Sequence, residues 1–135
     1  MRIVLDTNCL IQSLSPHSIY YNVWKSLVRG DNILCVSNEI IEEYIEIIQK
    51  LFNNRLAENV AKTIINSPFV DFVTPYYRFN LIETDPDDNK FVDCAIASNA
   101  RFIVSNDRHF SVLKTIPFPS VEVIILDDFL NLTRP

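Results

Sequence analysis

The sequence predicts an α/β fold, a three-layer α/β/α sandwich with a central parallel sheet. Short apolar runs rich in Ile and Val, too brief for helices, alternate with longer segments of helical periodicity. This alternation is typical of βαβ units, in which helices cover both faces of a parallel sheet. The 135 residues contain no repeat and no linker-like tract, and typical domains have roughly 100–200 residues. We therefore expect a single domain over residues 1–135.

The first half of the chain contains three predicted strands and three predicted helices. The strands are predicted at residues 2–5, 33–36 and, more weakly, 69–73. The helices are predicted at about 18–29, 38–52 and 54–66. Gly30 is expected to end the first helix, and Ser37 or Asn38 is the expected N-cap of the second.

The second half is predicted to continue the alternation after an ordered loop at residues 74–86. Within that loop, Leu81 and Ile82 could pair briefly with a strand. The remaining predicted elements are a helix from Asp88 to about Ala100, a strand at 102–105, a short helix from near Asp107, a strand at 121–126 and a closing turn at 127–132.

The composition of the chain argues against a membrane-spanning, secreted or disulfide-bonded protein. Hydrophobic residues make up 48% of the chain, enough for one buried core, but no apolar run reaches the ~18 residues of a membrane span. The N-terminus lacks the apolar segment of a secretory signal. Cys9, Cys35 and Cys94 lie in apolar stretches without metal-ligand spacing, as reduced core cysteines do. We expect a cytoplasmic protein without a membrane partner.

The charge of the chain limits how it could bind nucleic acid. A net charge of −5 argues against a protein that coats nucleic acid through a broad basic face. If four acids bound cations, the remainder of the chain would carry −5 + 4 = −1. Such a nearly neutral surface is compatible with an enzyme that holds RNA locally. Charge alone therefore leaves the class of partner open.

Two acids follow predicted strands. Asp6 comes directly after the strand at 2–5, and Asp107 comes just after the strand at 102–105. The carboxyl ends of parallel strands meet at one edge of the sheet, which is where open α/β sheets bind ligands. Both acids also have structural alternatives, since Asp6 could organise a turn and Asp107 could cap the following helix.

Two further acids lie near helix starts and are selected by helical geometry. At ~100° per residue, Glu43 lies about 40° outside the apolar arc of its helix, whereas Glu39, Glu42 and Glu46 point into solvent. Asp88 shares its direction with the apolar face of the next long helix, so it needs a partner such as a metal ion. The alternative for acids in the segment 85–88 is helix capping.

These four acids together predict a metal-dependent hydrolase. Carboxylates brought close to one another repel, and a hard divalent cation bound by oxygen ligands removes that repulsion. Ser105 and Asn106 could hydrogen-bond a neighbouring carboxylate or a metal-bound water. Asp93 lies farther from the apolar face of its helix and could play an auxiliary role. His17 and His109 are expected at the surface or in caps, without ligand partners.

In these residues the chain resembles the PIN domain, the metal-dependent nuclease fold of VapC-like toxins and RNA-processing factors. The resemblance covers essentially all 135 residues and is nearest to the bacterial PIN-family toxins of toxin–antitoxin systems. It rests on four segments in order, which are Asp6-Thr7-Asn8, the helix start at 37–44, the helix at 85–97 and the segment 103–107. Ser105-Asn106-Asp107 departs from the family's usual Thr-Gly-Asp or Thr-x-Asp but keeps a hydroxyl and an acid.

The resemblance implies a catalytic site and a cofactor. Its catalytic and metal-binding residues would be Asp6, Glu43, Asp88 and Asp107, holding Mg²⁺ or Mn²⁺. Asn8, Asp93, Ser105 and Asn106 would be auxiliary residues of the same site.

The resemblance also implies a substrate and partners. The chain would be an endoribonuclease that hydrolyses phosphodiester bonds of single-stranded RNA, because an open carboxylate site requires an accessible phosphate. Lys90 and Arg108 lie near the proposed site in sequence and could hold the RNA backbone, although a solvated surface charge would explain each of them as well. A homodimer and an antitoxin protein are expected from the resemblance alone.

Two other functions remain open at this point. A PIN-like module that acts through protein partners, with weak or no catalysis, would gain little stability from Mn²⁺. A phosphatase or phospho-acceptor domain would need a second Asp at the position of Asn8, or a Lys after a late strand. Lys114 instead follows a predicted helix, which argues against that class.

Overall fold

The structure, a computed structural model, describes residues 1–133. The strands are Arg2–Leu5 (β1), Ile33–Val36 (β2), Val70–Phe72 (β3), Phe102–Val104 (β4) and Val123–Ile124 (β5). The α-helices are Thr7–Ser13 (α1), Tyr21–Arg29 (α2), Asn38–Leu51 (α3), Asn54–Asn66 (α4), Asn89–Ser98 (α5) and Leu126–Thr133 (α6), and 3₁₀ helices cover Pro86–Asp88 and Arg108–Thr115. No helix within residues 1–133 is long and apolar enough to cross a membrane.

The five strands form one parallel sheet in the order β3-β2-β1-β4-β5. Because crossovers between parallel strands are right-handed, α1 to α4, which precede β3, cover one face, and α5, which connects β3 to β4, covers the other. The C-terminal helix α6 packs against α2. Consecutive residues of a strand point to opposite faces, and both Val4 and Leu5 of the central strand are fully buried. The sheet is therefore covered on both sides, and the predicted α/β fold with a central parallel sheet is confirmed.

The strand order reverses between β1 and β4, where an open α/β sheet binds its ligands. The register pairs Leu5 with Val104, so the two strands end at the same level. The Asp6 amide extends the ladder with a hydrogen bond of 3.0 Å to the Val104 carbonyl. Asp6 and the segment that begins at Ser105 therefore leave the sheet side by side.

Arg2 anchors the opposite end of the sheet. Its guanidinium donates hydrogen bonds of 2.8 and 3.0 Å to the Ser98 carbonyl, near the C-terminus of α5. The carbonyls of the last helical turn lack partners within their helix, so this contact both satisfies one of them and fixes α5 on the sheet. Arg2 also forms an ion pair with Asp71 on the edge strand β3.

Three elements differ from the sequence prediction. Residues 7–13, for which no helix was predicted, form α1, because Asp6 is extended and the Leu10 N–H bonds back to the Asp6 carbonyl. Residues 127–132, predicted as a turn, belong to α6, which buries Leu126, Phe129 and Leu130 at helical spacing. The strand predicted at 121–126 keeps its ladder only over Val123–Ile124.

The loop between β3 and α5 contains no strand at Leu81 and Ile82. The Asn89 side chain instead replaces a neighbouring strand, since its amide accepts from the Ile82 N–H and donates to the Ile82 carbonyl, each at 2.9 Å. Asp93 adds a second tie by accepting the Phe79 N–H at 3.1 Å. These hydrogen bonds satisfy the backbone groups of the buried Ile82 and of the half-buried Phe79, which would otherwise lack partners within the loop.

Gly30 ends α2 in the left-handed conformation, with φ of +82°, and a Cβ there would lie 2.5 Å from the Phe69 ring. Gly30→Ala should lower the free energy of unfolding by about 1–3 kcal/mol, because it adds both backbone strain and a steric clash. Asn99→Ala is the matched control, since Asn99 caps α5 with φ of 54° and is exposed. Urea unfolding should show the larger loss for Gly30→Ala; equal losses would mean that the Phe69 contact contributes nothing.

Candidate active site

Ser105 connects two of the predicted site acids at the carboxyl end of the sheet. Its hydroxyl donates to Asp6 Oδ2 at 2.6 Å and accepts the Asp107 N–H at 3.0 Å. Ser105 and Asp6 are 2% and 7% exposed. A single buried hydroxyl thus fixes the Asp6 carboxylate relative to the backbone at Asp107.

Glu43 is placed by the docking of α3 on β1. The hydroxyl of Tyr44, a buried residue, donates to the Leu5 carbonyl, one residue before Asp6. The Glu43 carboxylate accepts a hydrogen bond from the Thr7 hydroxyl and pairs with Lys90 Nζ at 2.7 Å. Since the Lys90 side chain is only 11% exposed, Glu43 holds an internal cation beside the site.

Asp88 lies at the end of the 3₁₀ helix that precedes α5. It is 9% exposed, and its Oδ2 is a buried oxygen with no hydrogen-bond partner among residues 1–133. Buried side-chain oxygens almost always have a partner, so an orphan of this kind requires an explanation.

The gap in front of Asp88 is lined by two more acids and a histidine. His109 Nδ1 lies 3.2 Å from Asp107 Oδ1, 3.4 Å from Asp85 Oδ2 and 3.5 Å from Asp88 Oδ2. One ligand atom from each of these four residues lies within 4.8 Å of the other three. In the part of the chain that the structure describes, Asp6 and Glu43 stand outside this group.

Burial and repulsion between the site acids raise the pKa values of two of them, Asp6 and Asp88. Burial, together with the charges of Asp107, Asp85 and Asp6, raises the pKa of Asp88 to about 7. Burial also raises the pKa of Asp6, and the charges of Asp107 and Glu43 add to that effect, while the Ser105 hydrogen bond opposes it. Burial lowers the pKa of Lys90, but the hydrogen bond with Glu43 and the charges of Glu43 and Asp87 outweigh it, so the net pKa is raised.

The auxiliary residues predicted from the sequence separate into two groups. Asn8 and Asn106 line a cleft of about 380 Å³ together with Asp6 and Asp107, and Asn106 also accepts the Leu126 N–H at 3.0 Å. Asp93 does not join the carboxylates, because five helical positions turn it roughly 140° away from Asp88. It is buried against the loop at Phe79 instead.

The two basic residues expected to hold RNA have different environments. Arg108 is exposed and directly follows Asp107, one of the residues that line the cleft. Lys90 is half-buried and pairs with Glu43 at 2.7 Å and with Asp87 at 3.5 Å, which differs from the open, phosphate-binding position expected of it.

Sequence reasoning missed three residues that the structure brings to the site. His109 was expected at the surface or in a cap without ligand partners; it is exposed, but its ring also faces three carboxylates. Asp85 was named only as part of a segment that helix capping could explain. Thr7 was named only as part of the segment Asp6-Thr7-Asn8 and was given no role, although it binds Glu43. Their proximity in sequence to Asp107, Asp88 and Asp6 was the available signal.

The residues fit a divalent cation. Three carboxylates and one imidazole converge on a gap, and the buried Asp88 Oδ2 lacks the partner that a cation would provide. Aspartate oxygens are the ligands that hard divalent cations prefer. The donor set can therefore hold such an ion without a rearrangement of the fold.

Glu43→Gln should lower the free energy of unfolding by about 1–3 kcal/mol, because it leaves the half-buried Lys90 ammonium with only the exposed Asp87 carboxylate, 3.5 Å away, as an anionic partner. Glu46→Gln is the matched control on the same helix, where Glu46 pairs with Lys50 at 3.2 Å and both side chains are more than 60% exposed. That control should change stability by less than about 0.5 kcal/mol. Equal effects in urea unfolding would contradict the structural importance of the Glu43–Lys90 pair.

Asp88→Asn should stabilise the metal-free protein at high pH. A carboxyl with a folded-state pKa of about 7 binds more protons folded than unfolded between about pH 4 and pH 7, so wild-type stability should fall as the pH rises through that window. In EDTA at pH 8, the free energy of unfolding of Asp88→Asn should be higher than that of the wild type by on the order of 2 kcal/mol. Near pH 4, the two proteins should have the same free energy of unfolding.

The control for this pH series is Asp87→Asn. Asp87 lies in the same 3₁₀ helix, but its side chain is 86% exposed. Thermal unfolding of Asp87→Asn should keep the wild-type dependence on pH. A wild-type stability that is constant from pH 4 to pH 8 would contradict the electrostatic account of Asp88.

Comparison with known proteins assigns a family to this fold and site. Residues 2–109 match the family model described as PIN domain. The structure is similar to a chain of VapBC2 from Rickettsia felis, solved bound to a DNA fragment from its promoter, with a TM-score of 0.64, 19% identity, and coverage of 93% of this chain and 98% of that one. It is also similar to the PIN domain endonuclease Utp24, with a TM-score of 0.54, 14% identity, and coverage of 92% and 84%.

A comparison with curated protein sequences gives no match. At such identities the two solved structures support the fold alone, whereas the family match extends from β1 through the site acids to His109. The chain therefore belongs to the PIN-domain family.

Proposed function

We propose that this chain is a metal-dependent endoribonuclease that hydrolyses phosphodiester bonds of single-stranded RNA, and that it is the toxin of a toxin–antitoxin pair. The observation that carries the proposal is the buried, partnerless Asp88 Oδ2 at a gap lined by further carboxylates. Membership of a family of nucleases supports hydrolysis as the activity. The three cysteines are free and buried, which is in keeping with a reducing, cytoplasmic environment.

Three of the site acids would bind the metal ion, and the fourth would act on the attacking water. Asp6, Asp88 and Asp107 would hold Mg²⁺ or Mn²⁺, which when bound supplies an acidified water and offsets charge on the phosphate. Ser105 would keep Asp6 in position through its 2.6 Å hydrogen bond. Glu43, with Lys90 at 2.7 Å, would orient the attacking water or accept its proton as a general base.

The cleft beside Asp6 supports RNA as the substrate. Its volume of about 380 Å³ and its lining by Asn8, Asn106 and Asp107 suit a backbone phosphate of an unpaired strand. Arg108 is exposed, directly follows Asp107 in the sequence, and would contact the phosphate. Its charge would help to offset the repulsion between the acids and the RNA backbone.

An antitoxin partner is supported by the similarity to VapBC2. That Rickettsia felis assembly binds DNA from its promoter, and we propose that this chain likewise pairs with an antitoxin protein. The homodimer expected from the resemblance stays a prediction.

Asp6→Asn should reduce cleavage of a labelled single-stranded RNA by at least about a hundredfold, because it removes a central ligand charge. The fold should survive, since the Ser105 hydroxyl can still donate to the amide oxygen. The measurement is a cleavage time course with Mg²⁺ or Mn²⁺, and EDTA should abolish the wild-type activity.

Asp128→Asn, an exposed acid on α6, is the control and should cleave like the wild type. Cleavage that persists in EDTA, or in Asp6→Asn, would contradict the proposed mechanism. A folded protein that neither cleaves RNA nor gains thermal stability from Mn²⁺ would instead be a binding or assembly module.

A further inference from the structure

The imidazole of His109 lies among three carboxylates of the site. Its Nδ1 lies between 3.2 and 3.5 Å from one oxygen each of Asp85, Asp88 and Asp107. Ligand atoms held about 2.0–2.2 Å from one cation are themselves ~3 to ~4.4 Å apart. The four atoms lie within 4.8 Å of one another, so small shifts of side chains would let them surround a single ion.

We infer that His109 binds the divalent cation through Nδ1, and that this nitrogen ligand makes the site prefer first-row transition ions such as Co²⁺ to Mg²⁺. The inference rests on the proposed function in that it concerns the same carboxylate site. It adds a nitrogen ligand to the carboxylates of Asp85, Asp88 and Asp107 and gives the site a metal selectivity.

The fold fixes His109 opposite Asp88. The Asp107 side chain accepts the His109 N–H at 2.9 Å and so caps the 3₁₀ helix that begins at Arg108. On the other side, the fully buried Phe110 packs edge-on against Phe91 of α5, with ring centroids 6.3 Å apart and an angle of 71°. The backbone of His109 is therefore held by Asp107, and the next residue, Phe110, packs against α5, the helix that follows Asp88.

A protonated imidazole would not provide a hydrogen bond to each of the three carboxylates. Nδ1 carries at most one N–H, which can donate to one oxygen, whereas three carboxylate oxygens surround it. Asp88 Oδ2, the buried member of the three, accepts no hydrogen bond from His109 or from any other residue within 1–133. A cation in the gap would contact all three oxygens and the ring nitrogen at once.

The type of ligand determines which cation is favoured. Oxygen ligands suit Mg²⁺, which binds imidazole poorly, whereas Co²⁺, Ni²⁺ and Zn²⁺ bind imidazole well. The His109 side chain is 46% exposed, so the ring can adjust by small rotations and leaves room for water. Removal of His109 should therefore weaken Co²⁺ binding far more than Mg²⁺ binding.

The test is a titration of the full chain with Co²⁺ or Mg²⁺ as the only divalent cation. Thermal unfolding would measure the affinity for each ion, and the visible absorption of Co²⁺ would report its ligands. Wild type should bind Co²⁺ more tightly than Mg²⁺. His109→Ala should lose at least about tenfold in Co²⁺ affinity and less than about threefold in Mg²⁺ affinity.

Two further variants make the test specific to the imidazole. His17→Ala removes the other histidine, which is exposed outside the carboxylate group, and should bind both ions like the wild type. His109→Asn places an amide near the position of Nδ1 and should keep the Mg²⁺ affinity while changing the Co²⁺ spectrum. It also serves as a second variant if His109→Ala does not fold.

The outcomes separate this inference from the proposed function. Tighter binding of both ions by His109→Ala would overturn the inference, because it would show that the ring acts as a positive counter-ion. Unchanged Co²⁺ and Mg²⁺ affinities in both His109 variants would overturn it as well, while leaving the metal site intact. A wild-type protein that binds neither ion would overturn the proposed function itself and this inference with it.

Discussion

The parallel register between β1 and β4 is the constraint on which the rest of the site depends. Leu5 pairs with Val104, and the Asp6 amide continues the ladder to the Val104 carbonyl. Because the two strands end at one level, Ser105 can hold Asp6 with its hydroxyl while it accepts the Asp107 amide. A shift of one residue would turn Asp6 to the other face of the sheet and separate these groups.

The remaining site residues are placed by helices that dock on this central strand. Tyr44 bonds to the Leu5 carbonyl and thereby brings Glu43 to Thr7. Helix α5 contacts β1, and Arg2 holds its C-terminal end, so its N-terminal end presents Asp88 to the gap. Each acid is therefore fixed by a hydrogen bond or contact to β1 or to a neighbour of β1.

The acids of this fold differ in how their burial is compensated. Asp93 is buried, but it accepts a backbone N–H from the loop it holds. Glu43 has the Lys90 ammonium and the Thr7 hydroxyl. Asp88 has an oxygen without any such partner, and burial, together with repulsion from neighbouring acids, raises its pKa to about 7. Uncompensated charge of this kind costs stability and is typical of functional sites rather than of structural cores.

The sequence by itself determined the alternation of strands and helices and the position of the acids at strand and helix ends. It could do so because hydrophobic periodicity and chain order set which residues face the core and which leave the sheet at its carboxyl end. It misjudged α1 and α6, in which short helical segments become stable only by burying residues such as Leu10 and Phe129 against the sheet.

Only the tertiary structure decided which polar side chains meet. The pairing of Lys90 with Glu43, the tie between Asp93 and the loop, and the approach of His109 to Asp85 and Asp88 depend on contacts between segments that the sequence does not place relative to one another. Periodicity fixes the direction of a side chain around its own helix, but the distance to a partner is set by how that helix packs on the sheet.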